Sequence, residues 1–240
     1  MRYALVGYGR MGRVIDAAAS ARGHRRALVV DRTARGRGVA RSVEAARWKG
    51  VDLAFEFTEA EGAAERIAHL LAAGVAVVCG TTGWDAGEAS IKRAARTGRV
   101  GAVIAPNFSV AMGVFAGLVE SAAVAFARAG SYDPYVIEAH HRGKRDAPSG
   151  TAKRLARAIG DASRGSPREI PISSVRAGHE PGRHVVGFDG EGDLVTLAHQ
   201  ARGRSSFAEG AVLAAEWVLG RRGTHGFDEV CRDLVRGGGR

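Results

Sequence analysis

A chain of 240 residues with 45% hydrophobic and 25% charged residues has room for one large or two modest domains with ordinary globular cores. Its net charge of +10 arises from 35 basic and 25 acidic residues strewn along the whole length, which argues against a nucleic-acid face, where Lys and Arg gather on one side, and leaves anionic small molecules as the simpler explanation of a basic pocket. Purely apolar runs such as Val75 to Cys79 are far too short to span a bilayer, and the two cysteines, Cys79 and Cys231, lack metal-ligand spacing, so a cytoplasmic protein with reduced thiols is expected.

Tyr3 to Val6 reads as a strand, too quickly followed by glycine to be a signal peptide. Gly7-Tyr8-Gly9-Arg10-Met11-Gly12 follows it and opens a helical pattern at Val14, Ile15, Ala18 and Ala19. This is G-x-G-x-x-G between a strand and a helix, the setting that dinucleotide binding needs. Gly7 permits the tight turn, Gly9 lets the backbone approach a pyrophosphate, and Gly12 lets the helix pack on the strand. A second apolar run, Ala27 to Val30, ends in Asp31, about 20 residues on, where a carboxylate holds a ribose hydroxyl. Arg32 comes next, and an acid beside a base accommodates NADH through its ribose diol and NADPH through its 2′-phosphate. Either cofactor is therefore expected.

Val51 to Phe57 is predicted as a strand ending at Thr58, with a helix from Gly62 to Ala73, a strand from Val75 to Cys79, the turn Gly80-Thr81-Thr82-Gly83, another helix, and a strand from Val100 to Ala105 before Pro106-Asn107-Phe108. Strands alternating with helices signal a doubly wound parallel sheet, whose ligands gather at the carboxyl ends of the strands. Gly7, Thr58, Gly80 and Asn107 mark four such ends and suggest a cofactor rim.

Ser109 to Ala129 is apolar, free of proline and predicted as a long helix leaving the first domain. The densest chemistry follows in Val136 to Leu155, VIEAHHRGKRDAPSGTAKRL. Val136 to Ala139 is expected to be a strand, and Ser149, Gly150 and Thr151 to open a helix whose free N–H groups face an anion. Two imidazoles, the Lys144 ammonium and a helix N-terminus would then converge on one small negative molecule. Adjacent strand residues point to opposite faces, and no nearby Cys or H-E-x-x-H completes a ligand set, so no metal is expected. A polar connector from Gly160 to Pro171 leads to alternating segments at Ile172 to Arg176, His184 to Asp189 and Asp193 to Ala198, read as antiparallel or mixed strands. Phe207 to Leu219 reads as a helix, and Trp48, Trp84 and Trp217 as packing or surface aromatics.

Five segments carry a family likeness in order along most of the chain: GYGRMGR at 7–13, GTTGW at 80–84, APNFSV at 105–110, EAHHRGKRDAPSGTA at 138–152 and HQARGRSSFAEGA at 199–211. The chain resembles the 4-hydroxy-tetrahydrodipicolinate reductase (dihydrodipicolinate reductase) family, the NAD(P)H-dependent step of diaminopimelate and lysine biosynthesis. The resemblance implies an α/β fold: a Rossmann-like doubly wound parallel sheet in 1–108 and 204–240, plus a second α/β domain in 109–203 whose open mixed sheet binds substrate and assembles a homotetramer. It makes His140 the proton donor and Lys144 a catalytic lysine, with His141, Ser149, Gly150, Thr151 and Arg204 binding substrate. Gly7, Tyr8, Gly9, Arg10, Met11, Gly12, Asp31, Arg32, Phe57, Gly80, Thr81, Thr82, Ala105, Pro106, Asn107 and Phe108 occupy its cofactor positions. The pattern departs at Gly203, at SVAMGVF around Met112, and in a short loop between Arg176 and His184.

The implied substrate is a small cyclic dicarboxylate carrying an imine or enamine, with neither nucleic acid nor membrane as a partner. Hydride must land on a conjugated ring carbon, and the charge that develops needs a proton, for which a histidine near neutrality is suited. Two other readings remain open. A dehydrogenase of an amino-acid semialdehyde would need a nucleophilic cysteine beside a histidine, and a non-catalytic nucleotide sensor would carry degraded motifs.

Overall fold

The computed structural model describes residues 1–84, 87–162 and 168–235. The chain runs β1 (Arg2–Val6), α1 (Arg10–Ala21), β2 (Arg25–Val30), β3 (Val39–Ala40), β4 (Leu53–Glu56), α2 (Ala63–Ala72), β5 (Ala76–Cys79), α3 (Glu88–Gly98) and β6 (Gly101–Ile104). It continues through α4 (Val110–Ala129), β7 (Tyr132–His140), α5 (Gly150–Ala162), β8 (Ile172–Arg176), β9 (Arg183–Gly190) and β10 (Leu194–Gln200), then α6 (Ser205–Val218), β11 (Gly223–His225) and α7 (Phe227–Val235). Two compact units result, one of Met1–Val110 with the chain from Arg204 on, the other of Ala111–Gly203.

The first unit is built on a seven-stranded parallel sheet in the order β11-β6-β5-β4-β1-β2-β3. Successive residues of β1 explain its two covered faces. Tyr3 and Leu5 pack with Ile15 and Ala19 of α1 and with Ala208, Ala211 and Ala215 of α6, while Ala4 and Val6 pack with Ile67, Leu70 and Leu71 of α2 and Ile91 of α3. Each such large side chain taken wholly out of water contributes about 1.5–3 kcal/mol. Strand order reverses beside β1, which pairs β2 on one side and β4 on the other, and that switch point is where such sheets bind ligands.

The second unit is a four-stranded mixed sheet in the order β10-β9-β7-β8, parallel only between β7 and β8. α4 and α5 cover one face, burying Met112, Phe115, Val119, Leu155 and Ile159 against Val136, Val186 and Phe188. By length and composition α4 is apolar enough to cross a membrane, but five of its side chains, Met112, Phe115, Ala116, Val119 and Ala123, belong to this core. Val114, Leu118 and Val124 of the same helix are exposed. The other sheet face, carrying Ile137, Val175 and Leu194, is exposed.

Some boundaries differ from the sequence reading. β7 starts at Tyr132 and reaches His140 itself, because Tyr132 to Ala139 pair with β9 and His140 pairs with Arg176 of β8. α5 runs through Gly160 to Ala162, where a side chain at Gly160 would strike the Arg168 carbonyl, so this glycine is a helix contact and not a connector; residues 163–167 of that connector lie outside the described residues. β3, β11 and α7 had no predicted counterpart. β3 and β11 are too short to show a period.

Candidate active site

At the switch point of the first unit, Gly7 has φ +92 and a Cβ there would lie 2.5 Å from the Phe57 carbonyl. A Cβ on Gly12 would lie 2.2 Å from the Gly7 carbonyl, so the strand-to-helix turn closes only with both glycines. Gly9 is different: extended and open, with nothing within 4 Å of an added Cβ. The N-terminus of α1, just beyond it, has no side-chain cap, which leaves its amides to a ligand.

Asp31 accepts hydrogen bonds from the Tyr8, Thr33 and Ala34 amides, each at 2.8 Å, and from the Thr33 hydroxyl at 2.9 Å. Partial burial opposes its charge, but these donors hold the carboxylate at a pKa of about 2. Next to it Arg32 is exposed and paired with Glu59. A cavity of about 650 Å³ gathers Gly7, Gly9, Asp31, Arg32 and Phe57, with Thr33, Arg41, Thr58 and Arg66 also on its wall. Tyr8, Arg10, Met11, Gly80, Thr81, Thr82 and Ala105 to Phe108 do not line it. Tyr8 instead stacks under Arg13 and Arg26. Thr81 accepts the Thr58 amide at 2.8 Å and so ties the ends of β4 and β5. Phe57 lies against Gly80, where any Cβ would enter its ring, and its ring is 5.8 Å from that of Phe108. Asn107 accepts the Ser109 amide at 2.8 Å and turns the chain toward α4.

In the second unit the chemistry lies on the helix-covered face of the sheet. Val136, Glu138 and His140 alternate inward along β7 and are buried, while Ile137 points outward. Register continues this face across the sheet: Glu138 pairs with His184 of β9 and Ser174 of β8, and His184 with His199 of β10. A polar row therefore borders the apolar row of Val136, Val186 and Leu197.

Glu138, fully buried, is the hub. Its carboxylate is hydrogen-bonded to His140 Nδ1, accepts both terminal nitrogens of Arg176 at 2.9 and 2.6 Å, and accepts the Ser149 amide at 3.3 Å. The His140 ring meets His184 edge-on, 5.2 Å between centroids. Ser149 caps α5 by accepting the Ala152 amide at 3.2 Å, and its hydroxyl lies 3.2 Å from His184 Nε2. Lys144 Nζ is 2.8 Å from Asp146 Oδ1. His141 and Gly150 are exposed and Thr151 half-buried at the head of the helix. Arg204 belongs to the first unit, exposed at the start of α6.

Charges follow from this packing. Burial works against the Glu138 anion, but hydrogen bonds from Arg176, Ser174 and His140 hold it near a pKa of about 2. Burial lowers His140, with Lys144 and Arg176 adding to the effect and Glu138 opposing it. Burial and the neighbouring His140 bring His184 down to about 4, and burial lowers His199. Glu138, His140 and His184 each offer a possible metal-ligand atom within 4.8 Å of one another, a grouping that the argument from two adjacent histidines did not contain. Arg176 already provides the cation for that carboxylate, through both of its oxygens.

Glu138, Arg176, His184 and His199 were not singled out in the sequence. The signal for Glu138 was its two-residue spacing from His140, which places both on one face. The others carried a weaker sign, polar residues at inward positions of alternating strands, and only the strand register joins them.

Comparison with known proteins adds the family. Residues 1–108 match the model described as "Dihydrodipicolinate reductase, N-terminus", and residues 111–231 match "Dihydrodipicolinate reductase, C-terminus". A relative from Chromobacterium violaceum named 4-hydroxy-tetrahydrodipicolinate reductase is 37% identical, covering 89% of this chain and 91% of its own length. One of the same name from Methanosarcina barkeri is 40% identical over 75% of this chain and 72% of its own. The solved dipicolinate-bound dihydrodipicolinate reductase from Paenisporosarcina sp. TG-14 superposes with a TM-score of 0.81 at 25% identity, covering 94% of this chain and 97% of that one. With both halves matched and with relatives of this identity and coverage, the chain belongs to the dihydrodipicolinate reductase family.

Proposed function

We propose that the chain reduces 4-hydroxy-tetrahydrodipicolinate, by way of dihydrodipicolinate, to tetrahydrodipicolinate in diaminopimelate and lysine biosynthesis, with NADPH or NADH as reductant. The observation that carries this reading is the meeting of the buried His140–Glu138 pair, Lys144 and the N-terminus of α5 in one small region of the second unit.

The first unit fits a dinucleotide. The open backbone at Gly9 and the uncapped N-terminus of α1 suit a pyrophosphate. Asp31 would accept a ribose hydroxyl, and Arg32 would meet a 2′-phosphate. Tyr8, Arg10, Met11 and Gly12 complete that turn, while Phe57, Gly80 to Thr82 and Ala105 to Phe108 would serve the neighbouring strand ends. When bound, the nicotinamide supplies a hydride.

The second unit handles the proton and the carboxylates. His140 would give a proton to the ring as negative charge develops there. Lys144 would hold a substrate carboxylate and stabilise that charge. His141, Ser149, and the Gly150 and Thr151 amides would orient the carboxylates at the dipole end of α5, with Arg204 as a further anion contact. A semialdehyde dehydrogenase would want a reactive cysteine beside histidine. Cys79 is buried against Glu56, and burial pushes its thiol pKa up.

The exposed sheet face with Ile137, Val175 and Leu194 would join second copies of the chain into a homotetramer in the cytoplasm. The test of the activity is a coupled assay. The fresh condensation product of pyruvate and aspartate semialdehyde is supplied, and nucleotide oxidation is followed at about 340 nm, the NAD(P)H absorbance. Consumption of either nucleotide is expected; none with either would overturn the reading.

A further inference from the structure

We infer that Glu138 is the positioning residue of the proton donor: it holds the His140 ring by Nδ1, so that Nε2 delivers the proton, and Arg176 clamps Glu138 in that role. The inference rests on the reading of His140 as donor.

Geometry fixes the roles. An ionised carboxylate only accepts hydrogen bonds, so the His140 nitrogen facing Glu138 must be the one carrying hydrogen. Nε2 is then the exchangeable position. It is bordered by Gly182, where a Cβ would come within 3.2 Å of it, so backbone alone approaches the ring on that side. Arg176 grips both carboxylate oxygens and, through Nη2, the Asp146 carbonyl at 2.6 Å. The same guanidinium therefore ties the donor's partner to the loop that carries Lys144.

Charge makes Glu138 more than a brace. The groups facing His140 are Glu138 on its own strand, Arg176 on β8, His184 on β9 and Lys144 in the loop before α5, with Ser149 heading α5 and His199 on β10 both against His184. Without the Glu138 anion, an imidazolium here would face two cations alone. In the catalytic step the Nε2–H bond breaks and a ring C–H bond forms. The neutral ring left behind keeps its Nδ1 hydrogen on Glu138, and Nε2 regains a proton from solvent.

The tautomer can be read directly on the wild-type enzyme by long-range ¹H–¹⁵N NMR of labelled histidines, with His140→Asn identifying the signal. Neutral His140 is expected to carry its hydrogen on Nδ1; a hydrogen on Nε2 overturns the inference. In kinetics, Glu138→Gln should lower kcat about 100-fold with KM for the dicarboxylate nearly unchanged, and shift the alkaline limb of the kcat profile about one unit toward acid. Glu138→Asp, which keeps the charge, should return that limb. A wild-type limb and kcat in Glu138→Gln would overturn the inference. Should that variant not fold, the wild-type tautomer decides alone. Absence of wild-type turnover overturns the proposed function and leaves the tautomer measurement in force.

Discussion

Glu138 and His184 stand directly opposite each other on β7 and β9, and the pair holds one negative charge and one neutral ring. His184 takes up a proton near its ordinary 6.5 when unfolded but only near about 4 when folded. Below 6.5 the unfolded chain therefore binds the extra proton, and acidification destabilises the fold across the window from 6.5 to 4. The full effect is on the order of 3 kcal/mol. Lowered His140 and His199 act in the same sense. Glu138, depressed from 4.5 to about 2, adds a loss that begins only at lower pH. Thermal unfolding followed by circular dichroism should show Tm falling from pH 7 to pH 4, and His184→Gln should flatten that slope. An equal slope in both proteins would show that His184 is not buried neutral.

Lys144 belongs to the second unit, whereas Gly7 to Gly12 and Asp31 belong to the first. Lys144→Ala should thus lower kcat about 100-fold while the dissociation constant of NADPH, read by fluorescence titration, stays nearly constant. Turnover near wild type would remove Lys144 from the mechanism.

The legibility of these features followed their range in the chain. The alternation of strands and helices gave the parallel sheet because each strand's two covered faces are written in consecutive residues such as Tyr3, Ala4, Leu5 and Val6. Gly7, Gly9 and Gly12 were readable for the same reason, being a local turn. Arg176, His184 and His199 were not, since they reach Glu138 through strand register between segments far apart in sequence. Gly160 misled as a loop residue because its need is a tertiary contact, the Arg168 carbonyl against α5.

Two glycines of the first turn should separate folding from binding. Gly12→Ala drives a Cβ into the Gly7 carbonyl, a backbone clash expected to cost about 1–3 kcal/mol and lower Tm as well as nucleotide affinity. Gly9→Ala meets nothing within the protein, so Tm should hold while nucleotide affinity falls, because the added methyl would stand where we propose that a pyrophosphate approaches. Loss of Tm in Gly9→Ala, or unchanged affinity, would contradict this.

Ile137 faces away from α4 and α5 and is exposed, one residue from the buried Glu138. Ile137→Asp should leave the fold intact and dissociate the proposed tetramer, because in that assembly a carboxylate would be buried between copies without a partner. Light scattering should find a tetramer for the wild type and a smaller species for the variant. A wild-type monomer would remove the exposed sheet face as an assembly surface.

Arg32 is mostly exposed and its guanidinium is engaged by Glu59. A nucleotide 2′-phosphate would compete with that carboxylate for the same cation, whereas a ribose diol would be received by Asp31, whose carboxylate is oriented by Tyr8, Thr33 and Ala34. The ion pair is solvated and weak, so removing it should have a modest effect confined to one cofactor. Glu59→Gln should lower KM for NADPH about two- to fivefold and leave KM for NADH unchanged, while Arg32→Ala should raise KM for NADPH more than that for NADH. Parallel changes for both nucleotides in either variant would separate Arg32 from the 2′-phosphate and return cofactor discrimination to Asp31 alone.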